Sequence, residues 1–300
     1  MKKKEITVIG DVMLDKYWFG DINRMSPEAP VPVLLKKNIT YSPGGAANVA
    51  RNIHHAGINV NLIGFIGKDD SGSKLKRIIG IKFKKNLIEL NNFQTTVKNR
   101  IISPKGQILR IDEEENLSDK NLSKIDLTKK ISDIKNQVVV ISDYGKGAID
   151  LKWTKRKNLV SFLSENNKVI VDPKGQDFRK YKNCFMLTPN LTEFENIVGR
   201  CNSEKQLELK ALKLRQDLNI RNLLVTRGAD GLSLFNDKGV NHIKSKKTNA
   251  IDVTGAGDIV VSHSAIFLAK GLDLIESIKK ANHAAGLSVQ ELGTVVIKSS

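Results

Sequence analysis

Short apolar runs alternate with longer stretches of helical periodicity along most of the chain. The runs are rich in β-branched residues and nearly continuous, which is typical of strands buried on both faces in a parallel sheet. They cover residues 6–9, 61–66, 138–141, 169–171 and 223–226. A 3.6-residue spacing of apolar positions predicts covering helices at residues 46–56, 151–164, 204–218 and 257–269. The alternation predicts an α/β fold, a three-layer α/β/α sandwich with a mainly parallel central sheet.

Two segments, residues 14–40 and 93–112, break this rhythm. Aromatic and β-branched residues alternate in them with period two, and Pro104-Lys-Gly106 is a turn signal. They predict the strands of a small separate sheet, a lid inserted between elements of one domain that spans residues 1–300. The alternative is an edge extension of the main sheet.

Composition places the chain among ordinary globular proteins, with 40% hydrophobic and 27% charged residues in 300. The formal charge is +17, which would attract a nucleic acid or an anionic membrane. The basic residues, however, are scattered in pairs and triplets, so a solvated surface is the favoured interpretation and no nucleic-acid partner is predicted.

The sequence also predicts a cytoplasmic protein without a membrane partner. Cys184 and Cys201 are the only cysteines, too few for a disulfide framework, which favours a reducing compartment. The first apolar run is interrupted by Glu5 and Thr7 and is predicted to be a strand and not an export signal. No apolar stretch has the length needed to span a bilayer.

The candidate chemistry is concentrated at the start of the last predicted helix, at residues 257–269. Gly255, Ala256 and Gly257 would lie at its N-terminus, where unbonded backbone N–H groups can bind an anion and glycines let a phosphate approach. Asp258 would follow in the first helical turn, positioned to accept a proton from an attacking hydroxyl. The alternative for Asp258 is a helix-stabilising carboxylate, which is common at such positions.

Phosphoryl-transfer enzymes of the Walker A and H-R-D types are excluded because neither motif is present. Four other motifs occur in order along the whole chain: Gly44-Gly-Ala-Ala-Asn48, Asn190-Leu-Thr-Glu193, Thr226-Arg-Gly228 with Gly231, and Asp252 to Asp258. Together they resemble the ribokinase or PfkB-type carbohydrate kinase family. The resemblance implies the ribokinase-like fold, transfer of a phosphoryl group to a sugar hydroxyl, and ATP and Mg²⁺ as cofactors.

A narrower resemblance is to the branch of this family that phosphorylates D-glycero-β-D-manno-heptose 7-phosphate. It rests on Gly10-Asp-Val-Met-Leu-Asp-Lys-Tyr-Trp18, Ser26-Pro-Glu-Ala-Pro-Val-Pro-Val33, Ser142-Asp-Tyr-Gly-Lys-Gly147 and Asp172-Pro-Lys-Gly175. The resemblance implies transfer to the C1 hydroxyl, which gives the 1,7-bisphosphate used for ADP-heptose and lipopolysaccharide core. Many relatives carry a following nucleotidyltransferase domain; with no H-x-G-H signature before Ser300, the sequence resembles the stand-alone kinase.

The resemblance assigns substrate-binding residues at several places. Asp15 would accept a sugar hydroxyl, and Gly44, Gly45 and Asn48 would let the sugar lie against a helix N-terminus; Asp143 would also contact it. A turn cap for Asp15 and a glycine turn for the others are the alternatives. Four cations on the predicted lid strands are candidates for the sugar's phosphate, each with a solvated surface charge as its alternative: Lys98, Arg100, Arg110 and Arg24.

The nucleotide side follows from the same resemblance. Asn190, Leu191, Thr192 and Glu193 form its N-x-x-E element, in which Glu193 would bind Mg²⁺ through water; a helix capping box is the alternative and is compatible with that role. The further candidates are one cation facing the phosphates, a nucleotide-binding turn and one residue near the adenine: Lys174, Thr226, Gly228, Gly231 and Asn282.

Two other functions remain open from the sequence. One is a PfkB-type kinase for another sugar, such as fructose, ribose or a nucleoside, because fold does not determine substrate. The other is a non-catalytic basic protein that binds nucleic acid or senses a sugar. A homodimer formed through the lid is expected because lidded relatives often pair in this way.

Overall fold

The computed structural model describes residues 5–80, 84–122, 125–246, 250–291 and 293–297. Its strands form two sheets, one of nine strands and one of four. The strands are β1 (Glu5–Gly10), β2 (Val12–Met25), β3 (Pro32–Gly45), β4 (Asn59–Gly67), β5 (Lys84–Leu90), β6 (Val97–Ser103), β7 (Gly106–Glu113), β8 (Val138–Ser142), β9 (Lys168–Asp172), β10 (Met186–Leu187), β11 (Asn222–Thr226), β12 (Leu232–Asn236) and β13 (Gly239–Ile243).

The large sheet has the order β13-β12-β11-β10-β9-β8-β1-β4-β5. Every neighbouring pair from β11 to β5 is parallel, and the described strands of this sheet form two antiparallel pairs, β11-β12 and β12-β13. The prediction of a mainly parallel sheet is therefore confirmed. The five predicted runs are all strands of this sheet.

Helices cover both faces of the large sheet. They are α1 (Ala46–His55), α2 (Asp70–Ile79), α3 (Leu127–Ile131), α4 (Leu159–Ser164), α5 (Leu191–Val198), α6 (Glu204–Asp217), α7 (Ala256–Lys270) and α8 (Leu274–Ser288). Strand β1 sends Ile6 and Val8 into the core shared with α1, α2, α7 and α8, and Ile9 into the core shared with α3 to α6. This alternation gives two hydrophobic cores and confirms the three-layer sandwich.

The helix predicted at residues 151–164 is wrong in its first half, because α4 begins only at Leu159. The Asn158 side chain caps that helix by accepting a hydrogen bond from the Ser161 N–H. Before it, Thr154 closes a turn through its hydroxyl. Trp153, 1% exposed, is a loop residue whose indole fills the core. The apolar spacing that resembled a helix thus comes from a loop packed inward.

The small sheet has the order β3-β2-β6-β7, with β2 parallel to β6 and antiparallel to β3. It contains both segments that broke the helical rhythm, so a separate second sheet is confirmed. The start of β2 is buried beside α1, whereas its end and most of β7 are exposed. The small sheet therefore leaves the core at its base and projects into solvent at its tip. Its movement as a lid stays a prediction.

Two observations concern the environment of the protein. Among the described residues, no helix combines the length and the apolar character needed to cross a membrane. Both cysteines are free thiols, and burial raises the pKa of the Cys184 thiol far above its usual value. Cys184 therefore behaves as a core side chain and not as a nucleophile.

Candidate active site

A cleft opens where the carboxyl ends of strands β8, β9 and β11 meet the N-termini of α5 and α7. Parallel strands end at the same edge of a sheet, so residues distant in sequence converge there. The lining residues are Asp143, Tyr144, Asp172, Pro173, Lys174, Thr188, Asn190, Glu193, Thr226, Gly255, Gly257, Asp258 and Val261. The cleft thus joins the predicted catalytic turn to the predicted nucleotide residues.

The turn before α7 needs glycine at position 255. Gly255 has φ 79° and is the N-cap of the helix. A Cβ atom there would lie 3.2 Å from the Thr294 methyl group and 3.4 Å from the Asn48 amide nitrogen. The left-handed backbone and the close neighbours both disfavour a side chain.

This turn leaves backbone donors for an anion. The Ala256 N–H donates to the Val253 carbonyl at 3.2 Å and is already satisfied. The N–H groups of Gly255 and Gly257 have no acceptor among the residues the structure describes. Because these donors lie at the N-terminus of a 15-residue helix, they can bind a phosphate group.

Asp258 is a buried carboxylate, 3% exposed, with both oxygens engaged. Oδ2 accepts a hydrogen bond from the Asn48 amide at 2.6 Å, and Oδ1 accepts one from the Tyr144 hydroxyl at 2.8 Å. Burial raises its pKa to about 6; the two hydrogen bonds oppose this rise, Asp15 adds to it and Arg51 counters it. A carboxylate with this pKa can act as a general base near neutral pH.

The predicted sugar residues lie beside this base. Asp15 on β2 is buried and forms an ion pair with Arg100 on β6 at 2.6 Å. A Cβ on Gly44 would lie 2.7 Å from the Asp15 carboxylate, and Gly45, with φ 57°, begins α1. The glycines therefore let the β3 backbone pass close to Asp15 and bring Asn48, in the first turn of α1, to the base.

The four lid cations divide into those near the cleft and those away from it. Lys98 is partly buried, its ammonium lies 5.3 Å from the centre of the Tyr144 ring, and burial lowers its pKa. Arg110 lies opposite Arg100 in the sheet and bonds Asp112 at 2.9 Å. Arg24 is exposed near the far end of β2, about 30 Å along the strand from Asp15. Of the four cations, Arg100 forms an ion pair with Asp15, and Lys98 lies opposite Asp15 on the neighbouring strand.

The Asn190-to-Glu193 element forms a capping box on α5. The Asn190 side chain accepts from the Glu193 N–H, and the Glu193 carboxylate accepts from the Asn190 N–H. The same carboxylate binds the Lys174 ammonium at 2.7 Å. Leu191 and Thr192 occupy the first turn but do not line the cleft. The capping alternative is confirmed, and it fixes Glu193 at the cleft wall.

The Asp143 carboxylate is engaged by groups of the protein itself. Its carboxylate accepts from the Tyr181 hydroxyl at 2.6 Å, binds Lys180 at 2.7 Å and accepts from the Gly145 N–H at 2.7 Å. These contacts fix the loop after β8 that carries Tyr144. Contact between Asp143 and substrate stays a prediction.

The remaining nucleotide candidates follow β11. Thr226 lines the cleft, while Gly228, with φ 58°, and Gly231, with φ 90°, form the turn into β12. A Cβ on Gly231 would lie 2.0 Å from the Ile243 carbonyl oxygen, so the turn requires glycine. Asn282 bonds the Ser245 hydroxyl and the Lys244 carbonyl. It lines a second hollow, formed with His242, Ile243, Lys246, Lys279 and His283.

Comparison with known proteins identifies the family. The model of the pfkB family of carbohydrate kinases matches residues 3–299. The chain belongs to the pfkB family of carbohydrate kinases. Its fold agrees with solved members: the TM-score is 0.76 to a ribokinase from Thermotoga maritima, at 21% identity with 98% of this chain and 96% of that chain covered. It is 0.81 to phosphofructokinase-2 from Escherichia coli, at 19% identity with 99% and 96% covered.

Curated relatives of this pfkB kinase are more similar in sequence. The bifunctional protein HldE of Haemophilus influenzae is 42% identical over 302 residues, which cover 99% of this chain and 62% of that protein. The D-beta-D-heptose 7-phosphate kinase of Bordetella bronchiseptica is 37% identical over 299 residues, covering 99% and 95%. The chain thus spans about three fifths of the length of the HldE proteins.

The sequence alone gave no role to four residues of the candidate site in this pfkB kinase: Tyr144, Arg51, Asp172 and Asp11. Tyr144 and Asp172 stood inside quoted motifs but received no role, and Arg51 follows Asn48 by one helical turn. Asp11 accepts from the backbone N–H groups of residues 144, 146 and 148, and so holds the Tyr144 loop. Burial and the neighbouring Asp258 and Glu193 raise the pKa of Asp172 well above its usual value.

A magnesium ion would need ligands from the nucleotide as well as from the protein. Within the described ranges, no group of three or more His, Cys, Asp or Glu side chains could hold a metal ion. Glu193 and Asp172 do face the cleft, and Mg²⁺ typically binds one or two carboxylates together with substrate phosphates. The donor set therefore fits a metal that arrives with the nucleotide.

Proposed function

We propose that this chain transfers the γ-phosphoryl group of ATP to the C1 hydroxyl of D-glycero-β-D-manno-heptose 7-phosphate. The product would be the 1,7-bisphosphate, an intermediate on the way to ADP-heptose and lipopolysaccharide core. The family, the printed names of the relatives and the heptose-branch motifs support this substrate. The observation that carries the chemistry is Asp258, a buried base of pKa about 6 beside a helix N-terminus.

Asp258 would take the proton of the sugar hydroxyl as the hydroxyl oxygen attacks phosphorus. At neutral pH a carboxyl of pKa about 6 is mainly ionised, so it can accept the proton without first losing one. Its Oδ2 accepts from Asn48 and its Oδ1 from Tyr144, so the sugar hydroxyl would donate to a remaining lone pair of one of these oxygens. The proton would then leave to solvent after ADP departs.

The transferred phosphoryl group would be held by the free N–H groups of Gly255 and Gly257. Lys174, already beside Glu193 at the cleft, adds a cation for the nucleotide phosphates. Mg²⁺ would be held by Glu193 through water and by Asp172, and when bound it neutralises phosphate charge. Positioning and charge neutralisation provide most of the catalysis in such reactions.

The sugar would lie between β2 and α1. Asp15 and Asn48 offer hydrogen-bond partners for its hydroxyls, with Gly44 and Gly45 leaving room for the ring. Lys98 and Arg100 would bind the 7-phosphate, because both are cations on β6 beside Asp15. Their partial burial strengthens charge interactions relative to an exposed pair.

The small sheet would close over the sugar and also pair two copies of the chain. Its tip exposes large apolar side chains that a partner sheet would cover: Met25, Val31, Leu35, Ile108, Leu109 and Ile111. A homodimer through this surface accounts for their exposure. ATP as co-substrate and two free thiols favour a cytoplasmic location.

The test is ADP release by the purified chain with a panel of sugar phosphates, fructose 6-phosphate, ribose and a nucleoside. We expect the highest kcat/KM with heptose 7-phosphate. Asp258→Asn should lower kcat at least about 100-fold while sugar binding persists. A higher kcat/KM with any other sugar would contradict the substrate, and full turnover by the Asn variant would contradict the base.

The phosphate contact has its own test. Lys98→Ala and Arg100→Ala should each raise the KM for heptose 7-phosphate about tenfold, because each removes a charged partner of the phosphate. Arg24→Ala, which removes an exposed arginine from the tip of the same sheet, is the matched control and should leave KM unchanged. Equal KM values for all three variants would place the 7-phosphate elsewhere.

A further inference from the structure

Arg51 on α1 is a cation whose hydrogen bonds connect α1 to β3 and to the segment at Thr294. One guanidinium nitrogen donates to the Ser42 hydroxyl on β3 at 2.8 Å. The other donates to the Asn48 side-chain oxygen and to the Thr294 carbonyl, both at 2.7 Å. The side chain is partly buried, and burial lowers the pKa of its guanidinium while Asp15 and Asp258 raise it. An arginine remains charged under such conditions.

These contacts leave the Asn48 amide only one orientation. An ionised carboxylate only accepts hydrogen bonds, so Asp258 requires the NH₂ end of the amide. A guanidinium only donates, so Arg51 requires the carbonyl end. Because the two partners lie on opposite ends of one amide, they select the same rotamer. Without Arg51, the carbonyl end of the amide would keep only the Asn52 amide as a donor, at 3.4 Å, and the orientation would depend mainly on Asp258.

Arg51 also fixes the segment that packs on the catalytic turn. Thr294 bonds Ser42 through its hydroxyl at 3.0 Å, and Gly293 donates to Asp252 at 2.8 Å. The Thr294 methyl group lies where a Cβ on Gly255 would contact it. The Arg51 bond to the Thr294 carbonyl therefore ties this segment to α1 beside the turn.

Arg51 also acts on Asp258 through its charge, because it lowers the pKa of that carboxyl. Asp15 on β2 and Asp172 on β9 are acidic groups near Asp258, and Asp15 raises its pKa. Tyr144, in the loop after β8, donates its hydroxyl to Asp258. Arg51 on α1 is a cation that favours the ionised form of Asp258. Lys98 from β6 lies above the Tyr144 ring.

We infer that Arg51 is a positioning residue of this site: it orients the Asn48 amide toward Asp258 and ties the Thr294 segment to α1 beside the glycine turn. As a role in catalysis, this inference rests on the phosphoryl transfer proposed above. The orientation and the ionisation are properties of the free protein, so they can be measured without substrate.

The decisive measurement is the pKa of Asp258, followed by NMR of carboxyl-labelled aspartate in the substrate-free protein and assigned with Asp258→Asn. Arg51→Met removes the cation and the donor, and should raise this pKa. Arg51→Lys keeps a charge, so its Asp258 pKa should stay close to that of the wild type; its donors, however, lie on one nitrogen and cannot reproduce the fork by which Arg51 reaches its three acceptors. Arg77→Met, on the exposed face of α2, is the matched control and should change nothing.

Kinetics separate a positioning role from a purely structural one. Arg51→Met should lower kcat at pH 8 about tenfold, and should increase the ratio of kcat at pH 8 to kcat at pH 6 at least about threefold. Arg51→Lys should lower kcat at both pH values by a similar factor. An unchanged Asp258 pKa and an unchanged kcat ratio in a folded Arg51→Met protein would overturn the inference.

The outcomes also distinguish this inference from the proposed function. Suppose that Arg51→Met raises the pKa of Asp258 but the wild-type chain phosphorylates no sugar. The positioning role of Arg51 would then be supported, and the proposed function would be rejected. If Arg51→Met yields no thermal unfolding transition, Arg51→Lys decides the matter. A kcat in that variant equal to the wild-type kcat would overturn the inference, and a loss of about fivefold or more with intact sugar binding would support it.

Discussion

The hydroxyl of Tyr144 offers the most direct perturbation of the proposed catalytic base, Asp258. It donates to Asp258 Oδ1 at 2.8 Å; Asp258 is buried and Tyr144 is half-buried. Tyr144→Phe removes this donor while keeping the ring beneath the Lys98 ammonium. A hydrogen bond to an ionised group stabilises the ionised form, so its removal should raise the pKa of Asp258.

The size of the effect follows from the charge on the acceptor. A hydrogen bond to a charged group contributes about 1.5 to 3 kcal/mol, and one pKa unit corresponds to about 1.4 kcal/mol. Taking the lower end, because water can replace part of the bond, the pKa of Asp258 should rise by about one unit from its value of about 6. At pH 6 the ionised fraction then falls about fivefold, whereas at pH 9 it hardly changes.

The assay is kcat/KM for the sugar phosphate between pH 5 and pH 9, since this parameter reports groups of the free enzyme. The phosphate of the substrate also titrates near pH 6, but equally for both proteins, so the ratio of variant to wild type isolates Asp258. Tyr41→Phe is the matched control, because its ring contacts Lys74 and no described group bonds its hydroxyl. A constant ratio across the pH range, or a shift of the acid limb to lower pH, would refute the reasoning.

Two further predictions concern stability. Asp258 has a folded-state pKa of about 6 against a usual value of 3.8, so the folded protein loses stability as the pH rises between these two values. Asp258→Asn removes this loss, and should therefore raise the free energy of unfolding in urea by about 2 to 3 kcal/mol at pH 8 and little at pH 4. Gly255→Ala should lower it by about 1 kcal/mol because of the left-handed backbone and the Thr294 contact, whereas Gly257→Ala, whose Cβ meets nothing within 4 Å, should raise it by up to about 1 kcal/mol.

Much of the fold was predictable because its strands are buried on both faces. Continuous β-branched runs identified five of the nine strands of the large sheet. The two-residue strand β10 carries too few residues for any periodicity, and the β12-β13 hairpin forms an antiparallel end that a parallel pattern does not indicate. The loop before α4 was misread because inward-facing loop residues imitate helical spacing.

The members of the site were easier to predict than their connections. The glycine turn, Asp258 and Asn48 stand in motifs, so each could be identified locally. Their hydrogen bonds could not, because Asn48 lies 210 residues and Tyr144 lies 114 residues from Asp258 in the sequence. Arg51 carries no motif at all, and its role depends on the carbonyl of Thr294, which any residue would provide.

The charges in the cleft bear on the proposed role of Mg²⁺ in a chain of net charge +17. Lys180 neutralises Asp143 and Lys174 neutralises Glu193. Asp172 forms no ion pair within the part of the chain that the structure describes, and its pKa is raised by burial and by neighbouring carboxylates. The surface field would attract the proposed anionic substrates, and a phosphate placed beside Asp172 would further favour the protonated form of its carboxyl group. Mg²⁺ brought by the nucleotide would favour the ionised carboxylate instead, so under the proposed function Asp172 would bind the metal-bound nucleotide in preference to the free one.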